Sequence, residues 1–560
     1  MISGWKNTLA VFSYAMIISC AAAGTHPSGN DNAGETAASQ SPAPNANAPR
    51  PSGREPAPVS VFLDTTYTAP TGRTINVSGS GAAAAQSFQA ALDSARPGSV
   101  IAIDPKTTIT GEFTLPKKEG AGWIIIRSAV ADNQLPPSGT RITPAHSPVM
   151  PKLVTANAAP AIRTAPGAHH YRFIGVEFMV APEVKINYGL VLLGEGGKEQ
   201  NSPDLIPHDL IIDRCYVHGN QTGNLRRGVA LNSARTSIID SYVSDCHEIG
   251  ADSQAVCGWN GPGPFKIVNN FLAGSGENVM FGGADPRIEN LVPSDIEFRN
   301  NYCLKPLSWN PRDPSYAGIH WSVKNLFELK NSRRVLIEGN TFENNWVDAQ
   351  SGPSILFTVR NQDGTAPWST VEDVIFKDNI VRNVAGGVSI LGTDDVQPSA
   401  PTRRIRIENN LFEAVGGPGL GTNGRLFQLL SGAADITIDH NTGFQTAQVI
   451  VADGKPSPGL VYTNNITAPG QYGIFGDSAS EGQVTISKYF PDSVIAKNVF
   501  AGRPSRLYPP GNFFAATLEE VGFADHAKGD YRLTEKSIYK RAGTDGRDIG
   551  CDVTKLRKEK

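Results

Sequence analysis

A short pattern centred on asparagine recurs along the chain and constrains its fold more than any other feature. Each copy has alternating apolar residues, two polar residues, the asparagine and then an apolar pair. The clearest copies are IVNNFL at Asn270, FRNNYC at Asn301, IEGNTF at Asn340, FKDNIV at Asn379, IENNLF at Asn410, IDHNTG at Asn441 and YTNNIT at Asn465, with Val176, Cys215, Ser241 and Asn498 in the same column. Successive spacings from Cys215 to Asn498 lie between 24 and 39 residues. This is too irregular for a helical solenoid, but it suits strands of fixed length joined by variable turns, and so predicts a parallel β-helix.

The residue types in the pattern suit this fold. Alternation places every second side chain of a strand in a narrow core. An asparagine at a tight bend can stack on those of the neighbouring coils and bond backbone groups that the bend leaves without partners. A second strand follows each copy after a loop, in segments such as NLFELKNS, ILFTVRNQD and GVSILGTDD. We expect these second strands to stack into one long parallel sheet.

From about residue 74 to 553 the chain resembles the right-handed parallel β-helix proteins of the pectin-lyase-like superfamily. The segment SFQAALDSARPGSVIAI is similar to the first helix, turn and buried strand of that family. The segment DYRLTEKSIYKRAGTDGRDIGCDV is similar to the closing segment of its bacterial members. The resemblance implies an all-β, single-stranded right-handed parallel β-helix of about eleven or more coils. An N-terminal helix is expected to cap the open end of the core.

The N-terminal residues have the features of an export signal. Lys6 precedes an apolar run at residues 9–18, which is too short to span a bilayer but suits the central region of a signal peptide. The run ends at Cys20 in a sequence that resembles a bacterial lipobox, where the cysteine is lipidated; the alternative is ordinary cleavage near residues 21–23. The segments expected are a signal peptide (1–23), a disordered Pro/Ala/Ser/Asn-rich linker (24–59), the β-helix domain (60–553) and a charged tail (554–560).

This organisation predicts a lipoprotein of the bacterial cell envelope, anchored in the outer membrane, or otherwise a periplasmic or secreted protein. The 50 Lys+Arg and 53 Asp+Glu leave a net charge of −3, so there is no overall attraction to nucleic acid. The six cysteines have neither the density of a disulfide framework nor the spacing of a zinc site. We expect a monomer whose partner is an acidic polysaccharide.

Two of the second strands carry the strongest candidate for a catalytic pair. Aligning FELKN with FTVRN by their inward apolar residues places Leu329 beside Val359. The same alignment places Lys330 beside Arg360 on the outer face, about 4.8 Å away. Repulsion between the two cations favours an unprotonated lysine, and a substrate carboxylate relieves that repulsion. β-Elimination at a uronic acid needs both a base for the C5 proton and a cation for the carboxylate.

This pair is similar to the Lys/Arg pair of the chondroitinase B and alginate lyase family, and the resemblance extends to Lys330 and Arg360 alone. His320 is the candidate acid for the leaving oxygen, because histidine titrates in the required range. Glu328 can hold the Lys330 amine. Tryptophans suit the apolar faces of sugar rings, and Gly258, Gly282 and Gly283 would form a low floor beneath such rings. The predicted substrate-binding residues are Glu328, Asn331, Asn361, Trp309, Trp321, Trp368, Glu277 and Asn278. An outward Lys and Arg beside Glu328 can equally be a solvated salt-bridge ladder.

The sequence does not decide whether a metal is used. Glu248, Asp252 and Glu328 are the candidate ligands, and Ca²⁺ is the cation that such oxygens prefer. Carboxylates in turns also cap backbone N–H groups, which is the alternative for each of them.

Two other functions stay open beside an exported polysaccharide lyase. Paired aspartates at strand ends would suit an inverting glycoside hydrolase, as in polygalacturonase-like enzymes on this fold. The candidates are Asp285, Asp363, Asp394, Asp395, Asp453 and Asp477. The Asn-Thr-Asp, Gly-His-Gly and Arg-Ile-Lys signatures of those enzymes are missing from the sequence. The second alternative is a non-catalytic surface β-helix that binds glycans.

Overall fold

Three long parallel sheets form the protein, and each complete coil contributes one strand to each of them, while the first and last coils are incomplete. The structure is a computed structural model that describes residues 54–421 and 423–556. The predicted signal peptide, Cys20, the linker up to residue 53 and residues 557–560 lie outside the described residues. Sheets of fourteen, thirteen and twelve strands confirm the predicted all-β, right-handed parallel β-helix of eleven or more coils.

The chain passes through the three sheets in the same order in every coil. The first sheet comprises Thr74–Val77, Val100–Ile103, Ile124–Ser128, His169–Ile174, His208–Asp213, Ala234–Ile239, Phe265–Val268, Ser294–Arg299, Ser332–Glu338, Val371–Lys377, Arg403–Glu408, Ala434–Asp439, Val461–Thr463 and Val494–Ala496. The second sheet comprises Thr108–Thr110, Lys152–Thr155, Glu177–Val180, Tyr216–His218, Tyr242–Cys246, Phe271–Gly274, Tyr302–Leu304, Thr341–Asn345, Ile380–Val384, Leu411–Val415, Thr442–Gln445, Ile466–Thr467 and Val499–Phe500. The third sheet comprises Phe113–Leu115, Ile162–Thr164, Val191–Leu193, Arg227–Leu231, Gln254–Gly258, Glu277–Phe281, Phe327–Leu329, Pro353–Thr358, Gly386–Leu391, Phe427–Leu430, Gln448–Asp453 and Tyr472–Gly476.

Short elements lie at both ends of the coil stack. Helix α1 (Gly81–Ser94) buries Phe88 and Leu92 in the main apolar core, and the Phe88 ring lies edge-on to Phe113 with centroids 4.9 Å apart. Helix α2 is Gln483–Tyr489. Two small two-stranded sheets pair Ile186–Asn187 with Asn224–Leu225, and Phe523–Asp525 with Asp530–Leu533. None of the helices in the described part of the chain has the length and apolar character needed to cross a membrane.

The predicted asparagine column forms a continuous hydrogen-bonded ladder. The amide Oδ1 of Asn301 accepts bonds from the backbone N–H and the Nδ2 of Asn270, at 2.9 and 3.0 Å. The same arrangement repeats at each step from Asn301 to Asn498. The Oγ of Ser241 takes the acceptor position earlier in the column, and Asn512 extends the ladder at its far end. The ladder therefore holds the bend between the first and second sheets in every coil that it crosses.

Residues 54–67, which we call the strap, lie along the outer face of the first sheet. The backbone N–H of Ala57 donates to Asp373, and the N–H and hydroxyl of Ser60 donate to Asp295. Arg54 forms an ion pair with Asp435 at 3.3 Å. Residues 54–59, at the end of the predicted linker, thus contact the β-helix.

The strap contacts follow a column of alternating charge. Asp295, Arg334, Asp373, Arg404 and Asp435 lie on five successive first-sheet strands, each with a left-handed φ between 52° and 58°. Each arginine forms ion pairs with the preceding aspartate, at 2.7 and 2.6 Å. Asp295 and Asp373 therefore accept bonds both from the next coil and from the strap.

Candidate active site

The outer face of the third sheet carries the predicted Lys/Arg pair, but the strand register differs from the prediction. Leu329 pairs with Phe357, not with Val359. The pairing moves by one residue just beyond the strand, where the N–H of Arg360 donates to the Lys330 carbonyl at 2.9 Å. Leu329 and Val359 are both fully buried, as the inward positions require. The backbones of Lys330 and Arg360 are therefore neighbours on adjacent coils.

The Lys330 side chain lies over the two predicted floor glycines. A Cβ on Gly282 would be 2.8 Å from the Lys330 Cβ, and one on Gly283 would be 3.8 Å from its Cδ. Both glycines have a left-handed φ. The Lys330 amine is 3.6 Å from Glu328 Oε1, and 15% of the side chain is exposed. Glycine at position 282 therefore makes room for the Lys330 segment, and glycine at position 283 for the Met280 side chain, while Lys330 remains partly open to solvent.

Arg360 points towards the following coil. Its Nη1 contacts both Asp394 and Asp395, and Asp395 is 47% exposed. Burial alone would lower the pKa of Arg360, but the hydrogen bonds and charges of these two aspartates raise it above its usual value. The Arg360 guanidinium is therefore already paired with two carboxylates of the chain.

Polar side chains continue from Lys330 across the preceding coils. We call this set the polar strip; its members are Asp252, Gln254, Glu277, Lys324, Asn325, Glu328 and Lys330. Gln254 and Glu277 are register partners, and the Gln254 amide donates to Glu277 Oε2 at 2.7 Å. Lys324 lies 2.6 Å from Asp252 and 3.7 Å from Glu277 Oε1.

Burial and opposite charge set the protonation of this strip. Glu277 is fully buried, and its burial together with the charge of Asp252 raises the pKa of its carboxyl, against the opposing effect of Lys324. Burial alone would lower the pKa of Lys324, but the Glu277 and Asp252 carboxylates raise it. The strip therefore contains a carboxyl group that tends to remain protonated, that of Glu277, beside an amine that remains charged, that of Lys324.

Three buried acceptor oxygens of the strip have no hydrogen-bond donor among the described residues: Glu277 Oε1, Gln254 Oε1 and Asn325 Oδ1. The amide of Asn325 donates to Glu328 Oε2 at 2.9 Å and to Gln350 at 3.2 Å. Unpaired acceptors of this kind favour a cation or a donor at the surface of the strip.

The predicted metal ligands are each paired with a cation of the chain. Glu248 accepts two bonds from Arg226, at 2.8 and 2.6 Å, while Asp252 pairs with Lys324 and Glu328 with Lys330. These three carboxylates do not converge: in the described part of the chain, the one group of three His, Cys, Asp or Glu ligand atoms close enough to share an ion lies elsewhere. The set does not fit a Ca²⁺ site, because its three carboxylates do not come close enough together to share one ion.

A second lysine is buried behind the strip. Lys305 has no exposed surface, and its amine donates to the carbonyls of Gly274, Ser275 and Gly276 and to Asn278 Oδ1, at 2.7 to 3.1 Å. Burial lowers its pKa, although the charge of Glu277 opposes the effect. Lys305 therefore fixes the turn that leads into the Glu277 strand.

Two of the predicted aromatic platforms are not available to a sugar. Trp309 is 6% and Trp321 is 2% exposed, and both pack in an apolar cluster over the second sheet. The Trp321 ring stacks on His247 with centroids 3.7 Å apart. Trp368 is partly buried and donates from Nε1 to the Leu291 carbonyl at 3.1 Å. The loop carrying Trp309 and Trp321 therefore packs its own aromatic side chains against the second sheet.

The remaining predicted residues divide between surface and scaffold. His320 is 63% exposed and bonds Asp348 at 2.6 Å, while the other Asp348 oxygen accepts the N–H of Val323, next to Lys324. Three buried asparagines bond backbone groups of turns; they are Asn278, Asn331 and Asn361. These asparagines fix the backbone and present no free amide to a ligand.

The rival aspartates also bond backbone groups. Asp285 accepts bonds from the N–H groups of Asp363 and Thr365. Asp394 accepts from Asn361 and Val396 in addition to Arg360. Asp363, Asp453 and Asp477 are exposed. The two buried members of the set thus stabilise turns, which does not favour the hydrolase.

Sequence reasoning missed Gln254, Lys324, Asn325, Gln350 and Arg226. Aligning QAVCG with ENVMF by their buried valines places Gln254 beside Glu277, so this contact could have been predicted from the sequence. Lys324 comes from the end of a long loop, where register gives no guide.

No protein-family model matches the chain, and no curated protein does. Among solved structures, the chain is similar to an alginate lyase of family PL6 in complex with a trisaccharide, with a TM-score of 0.50 and 12% identity over 90% of this chain and 96% of that one. It is also similar to the PL6 alginate lyase AlyGC, with a TM-score of 0.49 and 12% identity over 86% of this chain, which spans 58% of the length of that enzyme. A further similar structure is the catalytic unit of a GH87 α-1,3-glucanase from Streptomyces thermodiastaticus, with a TM-score of 0.47 and 12% identity over 82% of this chain and 72% of that one. At this identity, the likeness shows the fold alone.

Proposed function

We propose that the protein is an exported polysaccharide lyase that cleaves a uronate-containing polysaccharide by β-elimination. The observation that carries the proposal is the placement of Lys330. The aliphatic part of its side chain lies next to Gly282 and Gly283, and its amine is 3.6 Å from Glu328 in a side chain that remains partly exposed at the end of the polar strip. Elimination across a uronic acid needs a base for the C5 proton and a cation for the substrate carboxylate, and Lys330 and Arg360 are the residues offered for these two tasks.

The elimination assigns one task to each cation. The Lys330 amine removes the C5 proton, the electron pair forms the C4–C5 double bond, and the bond to the glycosidic oxygen at C4 breaks. A proton must then reach that oxygen, and His320 is the candidate acid. Arg360 takes the substrate carboxylate by exchanging its contact with the exposed Asp395 for it. A bidentate guanidinium–carboxylate pair stabilises the negative charge that develops during proton removal.

Substitution of Lys330 tests the proposal. Lys330→Ala is expected to reduce turnover at least 10³-fold while leaving substrate binding largely intact, because the base acts chiefly in the transition state. Arg360→Ala is expected to weaken both, and Arg360→Lys to restore only part of the activity. The assay follows ultraviolet absorbance of the unsaturated product and new reducing ends in parallel, across acidic and neutral polysaccharides.

Lys377→Ala is the matched control. Lys377 is also an outward lysine, 2.9 Å from Glu338, but it lies on the first sheet. It is expected to retain full activity. Reducing ends without absorbance, lost in Asp363→Asn but retained in Lys330→Ala, would replace the lyase by a glycoside hydrolase. Binding without either product would replace it by a glycan-binding protein.

We also propose that export ends in a lipid anchor at Cys20, which is supported by the lipobox-like sequence after the short apolar run. The lipid-modified form should label with a radioactive fatty acid. Cys20→Ser should remove the label and release the protein from membranes. An unchanged distribution in Cys20→Ser would leave ordinary signal cleavage as the explanation.

A further inference from the structure

Three histidines and an aspartate cluster on the first sheet, at a distance from the candidate active site in the sequence and on another face. His169 and His170 begin one strand, and His208 and Asp209 begin the next, with His169 paired to His208. His170 and Asp209 have left-handed φ values of 58° and 54°. This conformation interrupts the strict alternation of side chains along a strand, so neighbouring residues can point the same way.

The ligand atoms of three of these residues converge. His208 Nδ1 lies 2.6 Å and His170 Nδ1 lies 3.9 Å from Asp209 Oδ2, and one ligand atom from each residue lies within 4.8 Å of the others. His169 contacts both of the other histidines: its ring stacks parallel to that of His208 with centroids 4.8 Å apart, and its Nδ1 is 2.8 Å from the Nδ1 of His170. All three ligand side chains are partly exposed, at 19 to 31%, so an ion can reach them.

A cation of the chain occupies this cluster. Arg235, on the following coil, donates to both Asp209 oxygens at 2.9 and 2.7 Å, and its Nη2 is 2.8 Å from His208 Nδ1. His208 Nδ1 therefore faces both a guanidinium, which only donates, and a carboxylate, which only accepts. One nitrogen cannot satisfy both partners, so the contacts at this point compete.

We propose that His170, His208 and Asp209 form a binding site for a Zn²⁺-type transition metal ion, which displaces the Arg235 guanidinium on binding. Imidazole nitrogen is a preferred ligand for Zn²⁺, Ni²⁺ and Cu²⁺, whereas Ca²⁺ and Mg²⁺ require oxygen. Two histidines and a carboxylate leave a fourth tetrahedral position for water. Because the ligands come from two adjacent coils, the ion would link those coils across the sheet edge.

The test uses the full exported chain without a histidine tag and titrates it with Zn²⁺ by calorimetry and with Co²⁺ by visible absorption, which reports tetrahedral coordination. His208→Ala and His170→Ala are each expected to weaken Zn²⁺ binding at least tenfold. Arg235→Ala is expected to strengthen it at least tenfold, since the competing cation is removed. Zn²⁺ should also raise the melting temperature of the wild type and of Arg235→Ala, because binding to the folded state alone stabilises it.

His526→Ala is the matched control, since His526 is an exposed histidine far along the chain, and it should bind as the wild type does. The proposal is overturned if the wild type and Arg235→Ala bind no more tightly than His208→Ala, or if His526→Ala weakens binding equally. Circular dichroism of each variant separates loss of the site from loss of the fold. The readout is binding, so the result is independent of lyase activity.

Discussion

Lys324 balances the charge of the polar strip. Its amine lies between Asp252 and the buried Glu277, and among the described residues it is the one cation within 4.0 Å of the Glu277 carboxyl. Lys324→Met should therefore destabilise the protein by roughly 2 to 3 kcal/mol at pH 8, because a buried carboxylate loses its partner. Glu277→Gln in the same chain should recover part of that loss, which a double-mutant cycle from chemical denaturation would measure.

The Lys324→Met loss should depend on pH with a definite sign. The folded-state pKa of Glu277 is raised, so the folded protein binds more protons than the unfolded chain, and stability falls as pH rises through that range. Without Lys324 the pKa rises further and the fall becomes steeper between about pH 5 and pH 8. Equal losses for Lys324→Met at pH 5 and pH 8 would contradict this account.

Glu177 should contribute stability with the opposite pH dependence. Burial would raise its pKa, but bonds from His218, Lys152 and Ser147 lower it to about 2. The unfolded value is about 4.3, so the contribution is present above that pH and is lost as pH falls towards 2. Glu177→Gln should be roughly 2 kcal/mol less stable at pH 6, after discounting for solvent screening, and should converge with the wild type only near pH 2 and below. Exposed Glu183, substituted in the same way, should change neither value.

Residue-scale prediction from sequence succeeded where side-chain direction follows strand alternation. Leu329, Val359 and Lys330 were assigned to the correct faces for this reason. It failed for Trp309 and Trp321, because the burial of a loop side chain depends on how the loop folds back over the second sheet. The carboxylates predicted as metal ligands instead pair with cations of the chain: Glu248 with Arg226, Asp252 with Lys324 and Glu328 with Lys330.

At the scale of the element, the asparagine ladder is the unit that repeats. Asn379 accepts from the N–H and Nδ2 of Asn340, donates from its N–H and Nδ2 to Asn410 Oδ1 and donates from Nδ2 to the Ile337 carbonyl. Asn379→Ala should therefore cost about 2 to 4 kcal/mol, because buried donors and an acceptor lose their partners. The shift in the denaturation midpoint measures it.

Asn379→Ser provides a graded comparison, since Ser241 already serves as an acceptor in the same column at 3.0 Å from the Cys215 N–H. The serine variant should lose less stability than the alanine variant. Equal stability of Asn379→Ala and the wild type would show that water replaces the ladder.

The pairing of the strands also shows what a repeat pattern does not predict. The spacing of the asparagines predicted the coils and the bend correctly, because identical residues meet only when coils stack in register. The predicted Leu329–Val359 pairing was two residues away from the observed Leu329–Phe357 pairing. A displacement of two residues leaves the alternation pattern intact, so it is invisible in a single sequence.

At the scale of the whole molecule, the strap is matched to the rise of the coils. Arg54, Ala57 and Ser60 are three residues apart, and their partners Asp435, Asp373 and Asp295 are two first-sheet strands apart. Three residues of extended, proline-rich chain span about 9.3 Å, and two coils span about 9.6 Å. The distance along the strap and the distance across the coils therefore match at each of these three contacts.

A single glycine inserted after Val59 should therefore detach residues 54–57 from Asp373 and Asp435 together, exposing the segment to protease and to hydrogen exchange. Inserting three residues should restore protection, with Ala57 displaced by two coils to the aspartate next in phase. Equal protection in the one-residue and three-residue variants would show that the match between strap and coil spacing does not hold the strap.

The spacing of the strap residues is therefore tied to the number of coils that the strap crosses. A coil added or deleted beneath it puts every aspartate beyond that point opposite the wrong strap residue, and an arginine faces the strap where an acceptor is needed. Coils under the strap can be gained or lost without such conflict only in pairs, with three strap residues changing alongside them. In related chains, the length of this segment should therefore vary in step with the number of coils it crosses.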